Sequence, residues 1–292
     1  MRTDPRLPAG FVHRRAGRRT VYVRRDVEEP VASLGFLCGK TAAEPVMRVR
    51  GRAAHPVYNL PGTRTRVVWK RCRRGGLVEP LLGDLHRGAG RFLREVDLTE
   101  EARRLGVGVA EILALAVEDA AGGWKRVELL SRLVEDARDL ASLLGDPTIL
   151  PALRRSILRA SAAELRRFHG SGLLHGDLNL GNLLCRLGER EVRVTLIDLD
   201  PGPERFRRLG ATPQGNLLRL FRSYRKGARQ GRWRLPATDL CSFIDEYFRG
   251  DRTAARAFWR AGSRRLRLAQ LGAPLRRPNR RAHQQAEGEP GP

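Results

Sequence analysis

The chain has 292 residues, of which 41% are hydrophobic, and a formal net charge of +24. Its length suits two lobes with a sizeable apolar interior, and the lack of any run of about 18 apolar residues excludes a helical membrane span. Fifty-two of the 56 basic residues are arginine, with lysine only at 40, 70, 125 and 226, a skew that a GC-rich genome produces without selection for binding. In chain order, "RTVYVRR" (19–25), "EPVMRVRG" (44–51), "HPVYNL" (55–60) and "TRVVWKR" (65–71) read as short strands punctuated by Gly and Pro. Helical spacing follows from Gly88 to Leu105, with Phe92, Val96, Leu98 and Ala102 among charged residues, and it stops at Gly106. Two more strands are expected at 107–117 and 124–130 around a Gly-Gly turn, giving a sheet of about five strands with one helix. Helices are then expected at 134–144, at Leu150–His169 with Leu153, Ile157, Ser161, Leu165 and Phe168 on one face, from about Gly215, and at 237–249 and 252–271. The Pro-, Gly-, Gln- and Arg-rich stretch after Pro274 is expected to lack order.

The densest chemical signal is "LLHGDLNLGNLLCRLGEREVRVTLIDLD", residues 173–200. His175, Asp177 and Asn182 form H-x-D-x-x-x-x-N, and an apolar strand then delivers Asp198 and Asp200 at its end. Singly, such residues are turn and cap formers. Together, at these spacings in an otherwise apolar stretch, they match a phosphoryl-transfer site. In such a site the first Asp accepts the proton of the attacking hydroxyl, and the Asn and the strand-end Asp bind Mg²⁺. Catalysis there is positioning plus charge neutralisation, so metal ligands must converge from two segments. The expected catalytic set is Asp177 and His175, with Asn182, Asp198 and Asp200 as metal ligands; Asp200 can equally be a hydrogen-bonding group or a plain turn acid.

The same chemistry requires a strand lysine for the ATP phosphates and a helical carboxylate to hold it. Lys70 at the end of "VVWK" and Glu95 in "RFLREV" fill these places. A compact ammonium kept where nearly every other cation is Arg suggests that a guanidinium fork does not fit there. Gly51 and Arg52, in "VRGRAAHPVY" (49–58), form the candidate nucleotide-covering loop, or a plain hairpin. The expected fold is α+β and protein-kinase-like, with an antiparallel-sheet N-lobe over residues 1–130, a mainly helical C-lobe over 131–273 and a tail over 274–292.

Four blocks resemble the lipopolysaccharide core kinases, most of all the 3-deoxy-D-manno-octulosonic acid (Kdo) kinases. They are "GRAA" (51–54), "VVWKRCRRGGLV" (67–78), "HGDLNLGNLL" with "LIDLD", and "NLLRLFRSYRK" (216–226). Three positions depart from the pattern: Lys70 stands where Arg is frequent, Ala53 replaces a glycine and Leu199 replaces the usual Phe. The resemblance implies ATP and Mg²⁺, and phosphorylation of a Kdo hydroxyl on a lipid A precursor at the cytoplasmic face of the inner membrane. Arg73, Arg74, Arg222 and Arg225, with Arg219 beside them, are the candidate contacts to this anionic glycolipid, because Arg matches carboxylate and phosphate bidentately.

Residues 201–281 carry 21 basic and 5 acidic side chains, which suits an anionic membrane surface as well as a solvated face. A protein Ser/Thr kinase is a second reading. It finds little room for a peptide-docking loop in the roughly 17 residues after Asp198, and Gly176 stands where a control Arg would sit. A basic nucleic-acid module is a third, and it leaves the acidic cluster at 177–200 unexplained. Neither nucleic acid nor an obligate protein partner is expected. Cys38, Cys72, Cys185 and Cys241 lie far apart without metal-ligand spacing and read as reduced thiols. The first 25 residues lack the apolar core of a signal peptide, so a cytosolic enzyme is expected.

Overall fold

The computed structural model describes residues 8–50, 54–73, 83–202 and 212–260. Its first part is an antiparallel sheet of β1 (Phe11–Ala16), β2 (Arg19–Arg24), β3 (Met47–Arg50), β4 (Ala54–Asn59), β5 (Arg66–Arg71), β6 (Leu85–His86), β7 (Ile112–Asp119) and β8 (Lys125–Arg132). The order is β1-β2-β7-β8-β5-β4-β3, with β6 against β8. The first six residues of β7 are all buried because both faces of the sheet are covered. On one face Val21, Val23, Leu113 and Leu130 pack against Val31 of α1 (Glu28–Ser33) and the following Leu34 and Phe36. On the other, Leu115, Val127 and Leu129 meet Phe92, Leu93 and Val96 of α2 (Gly90–Arg104).

The sheet is larger than the sequence suggests. Beyond Phe11 and Val12, β1 is exposed, so it lacks the apolar alternation that marks a half-buried strand. The strand expected from residue 107 begins at Ile112, because the preceding segment binds the other lobe. There the Gly108 carbonyl accepts the Leu196 N–H at 2.8 Å, and the Gly108 N–H donates to Glu164 Oε1 at 2.6 Å. A side chain at 108 would stand 2.6 Å from the Val194 carbonyl oxygen, so only glycine allows this approach.

The second part comprises β9 (Ala137–Asp139), α3 (Leu140–Leu144), α4 (Pro151–Gly170), β10 (Leu183–Leu187), β11 (Val192–Leu196), α5 (Pro213–Arg229) and α6 (Ala237–Phe248), followed by helical residues 252–260. The helix expected over 134–144 is instead the short strand β9 followed by α3. Asp139 ends the strand and caps the helix by accepting the Ser142 N–H at 2.9 Å. Ile157, Leu158, Leu165 and Phe168 of α4 anchor one core shared with α5 and α6. The fully buried Asp239 of α6 accepts a bond from Arg154 Nε of α4 at 2.6 Å, which neutralises a carboxylate deep in that core. Two lobes, a sheet with its helix and a helical body, make the fold α+β and protein-kinase-like. The stretch 274–292 lies outside the described residues.

Candidate active site

The loop between α4 and β10 holds the H-x-D-x-x-x-x-N residues. His175 is fully buried. Its Nδ1 accepts the Asp177 N–H at 3.2 Å, which leaves Nε2–H to donate to the Ile197 carbonyl at 3.3 Å. Burial lowers its pKa, so the ring is neutral. Both ring nitrogens of His175 thus meet backbone groups, and Nε2 also lies 3.3 Å from Asn182 Nδ2, so the ring sits buried beneath the loop.

Asp177 itself is exposed, with its carboxylate turned outward. Its carbonyl accepts bonds from Asn179 Nδ2 at 2.9 Å and Asn182 Nδ2 at 3.1 Å. The second bond orients the Asn182 amide and leaves its Oδ1 for a cation. The antiparallel pair β10–β11, with Leu183 opposite Leu196, returns the chain so that Asp198 and Asp200 follow at the strand end. The Gly176 N–H then donates to the Asp200 carbonyl at 2.6 Å, lacing catalytic loop to strand end. A Cβ at 176 would lie 2.5 Å from Gly202 Cα, so no side chain fits where a regulatory arginine would otherwise stand.

Asp198 has φ of +54°, in the left-handed region that few residues other than Gly, Asn and Asp enter. This turn directs the carboxylate toward Lys70 of the opposite lobe. Lys70 Nζ donates to Asp198 Oδ2 at 2.6 Å. Burial works against the ammonium, yet the Asp198 carboxylate outweighs it and the pKa is raised. The direct partner of Lys70 in this state is Asp198, while the charge of the expected partner Glu95 also supports the ammonium. Glu95 is buried on α2, and its carboxyl makes no hydrogen bond or ion pair among the described residues. Burial, then the charge of Asp198, pushes that carboxyl up to about 8, with Lys70 opposing.

A group whose folded pKa is raised stabilises the fold most below its unfolded pKa and loses that contribution as pH climbs to the folded value. Glu95 therefore loses its contribution between about 4.5 and about 8. We expect Glu95→Gln to gain stability relative to the parent by about 1 kcal/mol per pH unit across that window. Turnover should fall roughly tenfold as the phosphates lose their anchored lysine. Urea unfolding at a series of pH values measures the first effect, and a stability gap independent of pH would refute it.

Both carboxylate oxygens of Asp200 are engaged within the protein in this state. Its Oδ1 accepts the Gly202 N–H at 2.9 Å and its Oδ2 accepts Arg91 Nη2 of α2 at 2.8 Å, so it ties the strand end to the N-lobe helix. Among the described residues no group of three or more His, Cys, Asp or Glu is placed to hold a metal. The remaining donors, Asn182 Oδ1 and the Asp198 carboxylate, are oxygens. Two such protein ligands fit Mg²⁺, which keeps waters and binds substrate phosphates in place of an all-protein cage. Gly51, Arg52 and Arg74 lie outside the described residues. Arg73 and Arg222 are exposed, and Arg225 is half-buried on α5. Arg219 of α5 approaches Asp177, with its Nη1 3.8 Å from Asp177 Oδ1. Sequence reasoning did not single out Arg91, the partner of Asp200, or His55, whose pKa is held down by burial and then by the Lys70 charge. A His in the strand after the glycine loop was the available signal.

The model of the lipopolysaccharide kinase (Kdo/WaaP) family matches residues 50–247, more than half of the chain. The chain belongs to that family. This lipopolysaccharide kinase is 34% identical over 177 residues to the 3-deoxy-D-manno-octulosonic acid kinase of Vibrio cholerae serotype O1, covering 58% of this chain and 71% of the relative. It is 28% identical over 157 residues to the enzyme of that name from Mannheimia succiniciproducens, covering 54% and 63% of the two chains. Among solved structures, WaaP in complex with acyl carrier protein superposes with a TM-score of 0.47 at 18% identity, covering 81% of this kinase and 92% of that chain. The PknI kinase domain of Mycobacterium tuberculosis gives 0.42 at 21% identity, covering 62% and 71%. Family membership favours a phosphotransferase acting on lipopolysaccharide over the protein-kinase and nucleic-acid readings.

Proposed function

We propose that this kinase transfers the γ-phosphoryl group of ATP to a hydroxyl of Kdo on a lipid A precursor. Asp177 takes the hydroxyl proton as the oxygen attacks phosphorus; the bond from phosphorus to the β–γ bridging oxygen breaks, and ADP leaves. Lys70 binds the α- and β-phosphates, and Glu95 steadies it once nucleotide draws it from Asp198. Asn182 and Asp198 would hold Mg²⁺, which supplies neutralisation of phosphate charge. The observation that carries this reading is the lacing of the loop that bears Asp177 to the strand end that bears Asp198, through the Gly176 N–H and the Asp200 carbonyl, with Lys70 of the other lobe bonded to Asp198.

The acceptor carries a carboxylate and phosphates, and Arg73, Arg74, Arg222 and Arg225 are cations suited to them. Among the described residues no helix is long and apolar enough to cross a membrane. In this reading the arginine charge, at roughly 1 kcal/mol per arginine near an anionic surface, holds the enzyme on the cytoplasmic face of the inner membrane. The test is incubation with labelled ATP and Mg²⁺ against Kdo-lipid A, heptosylated lipid A, an aminoglycoside and a generic protein. Label on Kdo-lipid A is expected, with Arg222→Ala raising the KM for that acceptor several-fold and leaving that for ATP unchanged. Label confined to heptosylated lipid A would overturn the Kdo assignment, and label on protein alone the glycolipid assignment.

A further inference from the structure

Helix α5 turns three polar side chains toward the catalytic loop. Asn216, Arg219 and Ser223 are three and four residues apart and so share one helix face. Asn216 is fully buried. Its Oδ1 accepts the His175 N–H at 2.8 Å and its Nδ2 donates to the His175 carbonyl at 3.1 Å, so one amide clamps both polar groups of that residue's backbone. Oδ1 also lies 3.3 Å from His169 Nε2, and His169 Nδ1 lies 2.6 Å from the Tyr247 hydroxyl. One proton arrangement satisfies this chain: Tyr247 O–H donates to Nδ1, and Nε2–H donates to Asn216. Burial lowers the His169 pKa to about 4, which keeps the ring in that neutral form. One turn along, Arg219 Nη1 approaches Asp177 Oδ1 at 3.8 Å. A further turn on, Ser223 Oγ accepts the Leu180 N–H at 3.4 Å.

The helix thus grips the loop before the base, at the base and after it. We propose that Asn216 and Arg219 are positioning residues for the phosphoryl transfer: Asn216 fixes the backbone from which Asp177 projects, and Arg219 orients the Asp177 carboxylate. The assignment rests on Asp177 being the base. It moves Arg219 out of the acceptor-binding set, and it gives the buried Tyr247–His169–Asn216 chain a purpose, which is to hold the clamp rigid against α6. A geometry error of about 1 Å at a reacting group costs on the order of a hundredfold in rate, so such a clamp matters even though none of its atoms meets substrate.

Hydrogen–deuterium exchange on the full chain tests the clamp without any turnover. Asn216→Ala should speed exchange of the loop amides at 173–182 at least tenfold, whereas Arg219→Gln should leave them unchanged. In turnover, read as ADP release with the acceptor that the parent uses, Asn216→Ala should lower kcat about a hundredfold with KM for ATP changed less than threefold. Arg219→Gln should lower kcat about tenfold with KM for ATP and for the acceptor changed less than threefold, and Arg219→Lys should restore most of that kcat. If Asn216→Ala does not fold, the Arg219 pair decides alone. Unchanged loop exchange in Asn216→Ala would overturn the clamp. An Arg219→Gln enzyme with normal kcat and a raised acceptor KM would return Arg219 to the acceptor site. Undiminished activity in Asp177→Asn, with loop exchange still released by Asn216→Ala, would instead fault the base on which the proposal rests.

Discussion

Replacing Asp177 by Asn should lower turnover about a thousandfold, within the range attributed to general bases, and leave nucleotide binding within a factor of about three. The expectation follows from where the loop's bonds run. Asp177 is tied through its backbone, with its N–H on His175 Nδ1 and its carbonyl holding Asn179 and Asn182. Its side chain is exposed and approached by Arg219. An amide of the same shape therefore keeps the loop and the Asn182 orientation, and removes only the ability to accept a proton. Lys70 and Asp198 are untouched, so phosphate binding survives. Label transfer under saturating ATP measures the loss, and Mg²⁺-dependent thermal stabilisation by a nonhydrolysable ATP analogue measures binding. Turnover above a tenth of the parent value would remove Asp177 from the role of base.

The loop was legible in the sequence because its polar residues interrupt an apolar run, and because each spacing is fixed by local chain geometry. Phosphoryl-transfer chemistry tolerates few other arrangements of Asp, Asn and Asp over 22 residues. Lys70 stood out for a compositional reason, as a rare lysine among arginines. Its partner did not, since the choice between Glu95 and Asp198 depends on how the lobes meet, and 128 residues separate Lys70 from Asp198. The Asp200 contact to Arg91 was hidden for a related reason, since it is made only after α2 docks. The edge strand β1 and the cap-initiated α3 were lost to weak local signals, one lacking an apolar face and the other lying across a strand–helix boundary. Asn216 lay inside a block that carried the family resemblance. Nothing in its spacing says that a buried amide faces residue 175, because that pairing joins segments 41 residues apart.

The second large effect is expected at Asp198. Asp198→Asn should weaken Mg²⁺-dependent binding of ATP about tenfold and lower turnover by roughly a further hundredfold, since electrostatic terms of this kind dominate phosphoryl transfer. Asn is the informative replacement because it tolerates the left-handed φ of +54° nearly as well as Asp, so the backbone turn that carries Leu199 into the core is kept. Folding should scarcely change. The Lys70–Asp198 pair has side chains 28% and 46% exposed, and pairs screened to that degree contribute about 1 kcal/mol or less. A consequence reaches Glu95. The charge of Asp198 helps to hold the Glu95 carboxyl up, and Lys70, released from its partner, favours the ionised form. In Asp198→Asn the Glu95 pKa should therefore fall, and the pH-dependent loss of stability between about 4.5 and about 8 should shrink. Urea unfolding of parent and variant at pH 5 and pH 8 measures that difference alongside nucleotide affinity. A variant that binds ATP normally in Mg²⁺ would strip Asp198 of its ligand role, whereas lost binding with an unaltered pH response would keep that role and place Glu95 beyond the influence of the pair.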